Sequence, residues 1–188
     1  LPRVSARALQ QRFSHATDLC AEAVRRTRVA AARRGWTDGF TVAARIREYA
    51  IATVQGRSPT ECEALRESAT SAVANLAHAP KAVRSILEQR LAAVAAGTVN
   101  PDVAANEAAL RLLCIRAELI SGAPTPPEDV ELRREYQMRR LVESMGHGER
   151  VTPAALDDLA LEWIAIGPVE PAVHDALLAR FERCRTTR

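Results

Sequence analysis

Five arginines make the clearest chemical statement in this sequence. Arg7, Arg25, Arg26, Arg28 and Arg33 fall within about 80° of one direction on a helical wheel, opposite the stripe Leu9/Phe13/Cys20. Glu22 lies three and four residues before Arg25 and Arg26, whereas Arg28 and Arg33 have no acidic neighbour at helical spacing. A row of guanidinium groups can lie along a phosphate backbone, each neutralised phosphate adding about 0.9 to the log–log salt slope on duplex DNA. Aromatic residues that could stack on bases are missing apart from Trp36, which argues against sequence-specific reading of RNA. The same face has two plainer readings: a solvated surface, or a surface that pairs with the acidic body of another repeat.

The remaining reactive side chains form no recognisable site. His15, His78, His147 and His174 stand apart, no Glu-x-x-His pair occurs, and His147 sits between Gly146 and Gly148 in what reads as a solvated turn. Phosphate-binding glycine loops and a nucleophile elbow are absent from the sequence. Asp157, Asp158 and Glu162 could be taken for paired carboxylates. Just after the cap Thr152-Pro153, however, acids are explained by the helix dipole. Cys20, Cys62, Cys114 and Cys184 are widely spaced, with neither a C-x-x-C pair nor a histidine at ligand spacing, and read as buried reduced thiols. The expectation is a chain without catalytic residues, metal, cofactor or small-molecule substrate.

These residues sit in 188 positions, 47% hydrophobic, 26% charged and 4% aromatic, enough for one domain or two small ones with a core of their own. No apolar run approaches the roughly 20 residues of a membrane span, and no secretory leader opens the chain, so the reading is a cytoplasmic protein with no membrane partner. The first residues, Leu-Pro-Arg, read as the start of a piece of something longer. Charge is unevenly placed. Residues 1–34 hold eight arginines against Asp18 and Glu22, a net of +6 in a chain of +3, so the rest carries −3. A basic arm before a mildly acidic body is the pattern of something that docks. The division expected is an Arg-rich helix over 1–34 and an all-helical body over 35–188.

Ala, Leu, Arg and Glu dominate and β-branched alternation is almost absent, which predicts an all-α chain. Eight helices are expected, near 5–34, 38–55, 59–77, 80–96, 101–121, 126–145, 153–166 and 171–185, packed as an extended array or irregular bundle. Ser58-Pro59-Thr60-Glu61 and Thr125-Pro126-Pro127-Glu128 fit capping boxes, Asn100-Pro101 a cap followed by proline, and Gly97, Gly122 and Gly146 helix ends. Three stripes read as core faces: Leu9, Phe13, Ala16, Cys20 and Ala23; Leu156, Leu159, Trp163 and Ile166; Val173, Leu177, Phe181 and Cys184. The sixth helix is apolar on two sides, with Val130, Met138, Leu141 and Met145 on one and Leu132 and Tyr136 on the other, and reads as sandwiched between neighbours. Its local pairs are expected to be Asp129–Arg133 and Glu135–Arg139, with Arg134 snorkelling or meeting a buried acid. Leu132, Tyr136, Arg139 and Arg140 form its candidate interaction face.

Ala8-Leu9-Gln10-Gln11-Arg12-Phe13 echoes Ala176-Leu177-Leu178-Ala179-Arg180-Phe181 in four of six positions, as equivalent helices of a repeating array would. The run Trp163-Ile164-Ala165-Ile166-Gly167-Pro168-Val169 leading into that second copy resembles the unit of a bacterial family of helical repeats, domain of unknown function number 349. There a helix ending in Trp meets an A-L-x-x-R-F helix through an I/L-G-x-V turn. Leu112–Ile120, Pro127–Asp129 and Arg134–Leu141 are similar to the C-terminal region of its long members. The likeness spans 5–34 and 110–185; over 35–100 it extends only to helical character, and the first copy lacks the Trp and the turn. It implies an elongated, all-helical cytoplasmic protein and transfers no site. The leading expectation is a non-catalytic interaction or scaffold module that binds another protein or its own copies through helical faces. The alternative is RNA or DNA phosphate binding through the Arg-rich first helix.

Overall fold

The computed structural model describes residues 6–144 and 154–186. Among them the chain is all-helical, in seven α-helices: α1 (Ala6–Val54), α2 (Pro59–Ala74), α3 (Lys81–Ala95), α4 (Val103–Ser121), α5 (Val130–Ser144), α6 (Ala154–Ala165) and α7 (Pro171–Thr186), with a single 3-10 turn at Pro127–Asp129. The expected cap at Thr152-Pro153, the stop at Gly146, and Met145 and His147 lie outside the described residues.

Seven helices replace eight because the first two expected helices are one. The break was placed near Gly35, yet α1 runs unbroken for 49 residues, roughly 73 Å. Glycine costs a helix interior about 1 kcal/mol relative to alanine. Here the two glycines let other chain segments approach closely. A Cβ on Gly35 would collide with the backbone carbonyl of His78, and one on Gly39 would lie 2.7 Å from Val83 Cγ1. The second half of α1 is therefore pressed against the loop before α3 and against α3 itself.

Around that half the body assembles. Phe40, Ala43, Ile46 and Ala50 point inward from α1, Val83 and Leu87 from α3, Leu110 and Cys114 from α4, Leu159 and Trp163 from α6, and Leu177 and Phe181 from α7. Trp163 stacks on Phe181 with ring centroids 4.8 Å apart, and Phe40 meets the Phe181 ring edge-on at 6.2 Å. The core faces expected of the last two helices are in place, with Ile166 and Val173 half-buried at their margins.

The first expected core face is not. Leu9, Phe13, Ala16, Cys20 and Ala23 are all exposed, and Phe13 is 75% exposed. The periodicity correctly marks an amphipathic helix, but no described element lies against this part of α1. Of the cysteines, Cys114 and Cys184 are buried, Cys62 is half-buried and Cys20 is exposed, so the reading of four buried thiols holds for two. Desolvation pushes the Cys114 thiol up to about 12, which keeps it protonated and unreactive at neutral pH.

Local signals are mixed in the same way. Ser58 accepts from the backbone N–H of Glu61 and receives the reciprocal carboxylate, a complete capping box. Gly97 and Gly122 end α3 and α4 in left-handed geometry. The second expected box is absent: Thr125 donates its hydroxyl to Glu118 at 2.6 Å, and Pro126 stands at the start of the 3-10 turn without a side-chain cap. Asp102 caps α4, and Asn100 instead accepts from the Asp102 N–H. Gly167 does not end α6 by a left-handed turn. It is buried where a Cβ would strike the side chain of Asn106, whose Nδ2 donates 3.0 Å to Pro168 O and pins the turn.

Candidate interaction surface

All seven described arginines of residues 6–34, Arg7, Arg12, Arg25, Arg26, Arg28, Arg33 and Arg34, are exposed. Glu22 anchors two of the candidates, accepting from Arg25 at 3.1 Å and Arg26 at 2.9 Å, bonds that reinforce the helix by a few tenths of a kcal/mol each. The structure thus places Arg7, Arg25, Arg26, Arg28 and Arg33 on one projecting helical arm. Among the described residues no acidic side chain of the body pairs with them. Every described side chain from Arg7 to Arg34 is exposed except the half-buried Glu22 and Ala31.

The second candidate face divides. Leu132 and Tyr136 are half-buried against the body, while Arg139 and Arg140 are exposed. On the opposite stripe of α5, Met138, Leu141 and Val142 are each more than half exposed. The helix is therefore half-buried on one side and mostly exposed on the other, where a sandwich was expected. Arg134 is exposed and pairs with Glu131 at 2.8 Å. Asp129 does not pair with Arg133, because it is drawn into the protein by two other arginines.

Those arginines belong to the best-organised polar cluster of the fold. Arg180, in α7, donates through Nε to Glu118 Oε1 at 2.6 Å and through Nη2 to Glu118 Oε2 at 3.0 Å, a two-pronged bond between buried partners. Its Nη1 reaches Asp129, whose other oxygen takes a bond from Arg111 at 3.4 Å. Burial works to lower the Arg180 pKa, but the bonds to Glu118 and Asp129 outweigh it and hold the guanidinium above its ordinary range. Arg133, Thr125 and Glu118 continue the chain of bonds, which ties α4, the 3-10 turn, α5 and α7 together.

A second buried guanidinium closes the end of α6. Arg47 is 2% exposed and donates to the carbonyls of Trp163, of Ile166 at 3.3 Å and of Gly167 at 3.2 Å. A helix leaves its last carbonyls unpaired, and a cation there also meets the negative end of the dipole. Desolvation, with Arg90 nearby, lowers Arg47 to about 9, so it stays charged at neutral pH. Its Nη1 lies 2.9 Å from His174 Nε2, which must accept, so His174 carries its proton on Nδ1 and donates to Asp175 at 3.1 Å.

Burial, then the neighbouring Arg47, depresses the His174 pKa against a smaller upward pull from Asp175. The unfolded chain then binds this proton more readily than the folded one. Stability is complete above the unfolded value of 6.5 and declines as pH falls through it. Urea midpoints measured from pH 7.5 down to 5 should fall below about pH 6.5. His174→Gln should flatten that decline; an equal slope in the variant would assign it elsewhere.

Asp157 and Glu162 are bound to Arg185 and Arg116, both at the surface of the body. Among the described residues no group of three or more His, Cys, Asp or Glu side chains could hold a metal, and no helix is long and apolar enough to cross a membrane. Arg180 and Arg47 were missed by sequence reasoning. The repeated A-L-x-x-R-F signature singled out Arg180 without its acids, which come from 62 and 51 residues away, and nothing near Arg47 announces its role. Comparison with protein-family models, curated proteins and solved structures gives no match to this chain.

Proposed function

We propose that this chain is a non-catalytic interaction module that engages another protein, or another copy of itself, through the exposed part of α1 and the exposed side of α5. The observation that carries the reading is Phe13, 75% exposed on a helix that stands clear of the body over residues 7–34. Leu9, Leu19, Val24 and Val29 accompany it, each more than half exposed. Most helical stability in proteins comes from packing of an amphipathic face, so an uncovered amphipathic helix gains both burial and rigidity from a partner. The best-ordered polar groups, Arg180 with its acids and Arg47 with its carbonyls, join helices of the fold to one another.

The five exposed arginines favour a second reading, contact with nucleic-acid phosphates. The two readings differ in salt dependence. Labelled single-stranded RNA and duplex DNA are titrated across a salt series with this chain and with a variant carrying Gln at positions 25, 26, 28 and 33. The interaction reading expects weak binding at most, gone at physiological salt and unrelated to any protein association. Tight binding with a steep salt slope, lost in the variant, would replace it with the phosphate reading.

A further inference from the structure

We propose that the free part of α1 pairs with the same segment of a second copy of this chain, in parallel and in register. The inference rests on the interaction reading above and names its partner.

The spacing of the exposed stripe is alternately four and three: Leu9, Phe13, Ala16, Cys20 and Ala23, continuing through Thr27 and Ala30. That is the 3.5-residue repeat of a two-stranded coiled coil, with Phe13, Cys20 and Thr27 at a and Leu9, Ala16, Ala23 and Ala30 at d. Thr27 does not spoil the seam, because its hydroxyl bonds Ala23 O at 2.9 Å and leaves its methyl free. Leu19 and Val24, both exposed, flank the seam and widen it.

The same heptad frame extended into the body shows where the rest of the molecule sits. Gly35, Gly39, Phe40, Ala43, Ile46 and Ala50 are buried, and all fall at b, c, f or g. Of the a and d positions of that half, Thr37, Thr41, Ala44 and Glu48 keep access to solvent, and Ile51, close to the end of α1, is buried. As far as Glu48 the body thus packs on the side of α1 opposite the seam. Two copies can meet along the arms with their bodies on the outside.

Charge selects the direction. In a parallel pair each g residue faces the e residue five places later on the partner. Arg12 then meets Thr17, Leu19 meets Val24, Arg26 meets Ala31 and Arg33 meets Asp38, with no like-charge pair and one attraction on each side. An antiparallel pair over the same span sets g against g, placing Arg12 opposite Arg26 at both ends. Arg34, at a, faces its own copy, the one like-charge contact of the parallel pair, and so ends the seam. Arg25 and Arg28 fall at f and b and stay on the outside of the pair.

Sedimentation equilibrium of the whole chain in high salt should show a mass rising with concentration towards twice the 20.5 kDa of one chain. Phe13→Glu should keep it monomeric with its thermal unfolding unchanged, since Phe13 is 75% exposed and no described element lies against it. Direction is read by mild oxidation in a Cys62→Ser background, where Cys20 is the exposed thiol. A parallel pair joins Cys20 to Cys20, and the variant with Ala16→Cys and Cys20→Ser also joins to itself. Cross-links that form only when those two proteins are mixed would show the antiparallel arrangement and overturn the proposal. A single-chain mass at every concentration would overturn the pairing and leave the interaction reading with a different partner. Dimer formation untouched by Phe13→Glu would move the interface away from α1. Tight, salt-sensitive RNA or DNA binding by a monomer would overturn both.

Discussion

Arg180→Ala should lower the unfolding free energy by about 3–5 kcal/mol, because it strands two buried carboxylates. Glu118 is 2% and Asp129 3% exposed, and the Arg180 guanidinium satisfies oxygens on both. Arg12→Ala, the equivalent change in the first A-L-x-x-R-F copy, should leave stability within about 0.5 kcal/mol of the parent, since Arg12 is exposed on the free part of α1. Urea unfolding of the two variants decides it. Similar losses would mean that the first copy is packed as the second is, and that residues 7–34 do not stand clear.

The second large effect is at Arg47. Arg47→Met keeps the apolar stem but leaves the carbonyls of Trp163, Ile166 and Gly167 without their donor inside the core. A loss of roughly 2–4 kcal/mol is expected, from unpaired acceptors that water cannot reach. Arg47→Lys should recover little of it. An ammonium is a single point at the end of its stem, whereas the planar guanidinium reaches the turn of α6 and His174 at once. Loss of the adjacent cation should also relieve His174, so the methionine variant should show a shallower decline in stability below pH 6.5. Full stability in the methionine variant would mean that the end of α6 finds other donors.

What the sequence made legible was local. The Ser58 box, the glycine ends after α3 and α4, and the stripes of α6 and α7 depend on residues within a turn or two of each other, and each stands where the pattern put it. Gly35 misled because a glycine that ends a helix and one that lets a loop approach look alike in one dimension. The stripe Leu9/Phe13/Cys20 misled for a related reason. Periodicity shows that a helix has an apolar face, but not whether its own chain supplies the cover. Thr125 and Asp129 escaped their expected local partners because Glu118 and Arg180 compete for them from other helices. Of the candidate surface, the arginines were legible as a cluster and the body's position opposite the seam was not. The latter needs to be known which half of α1 is buried.

The central claim is that α1 is free of its own body over residues 7–34 and is covered by a second copy. Amide hydrogen exchange at low and high protein concentration tests it segment by segment. At low concentration the amides of residues 9–30 should exchange quickly while those of Phe40–Ala52 and of α3 are protected. Raising the concentration should slow exchange in 9–30 and leave the body unchanged. Strong protection of 9–30 at low concentration, or exchange that does not respond to concentration at all, would contradict the account.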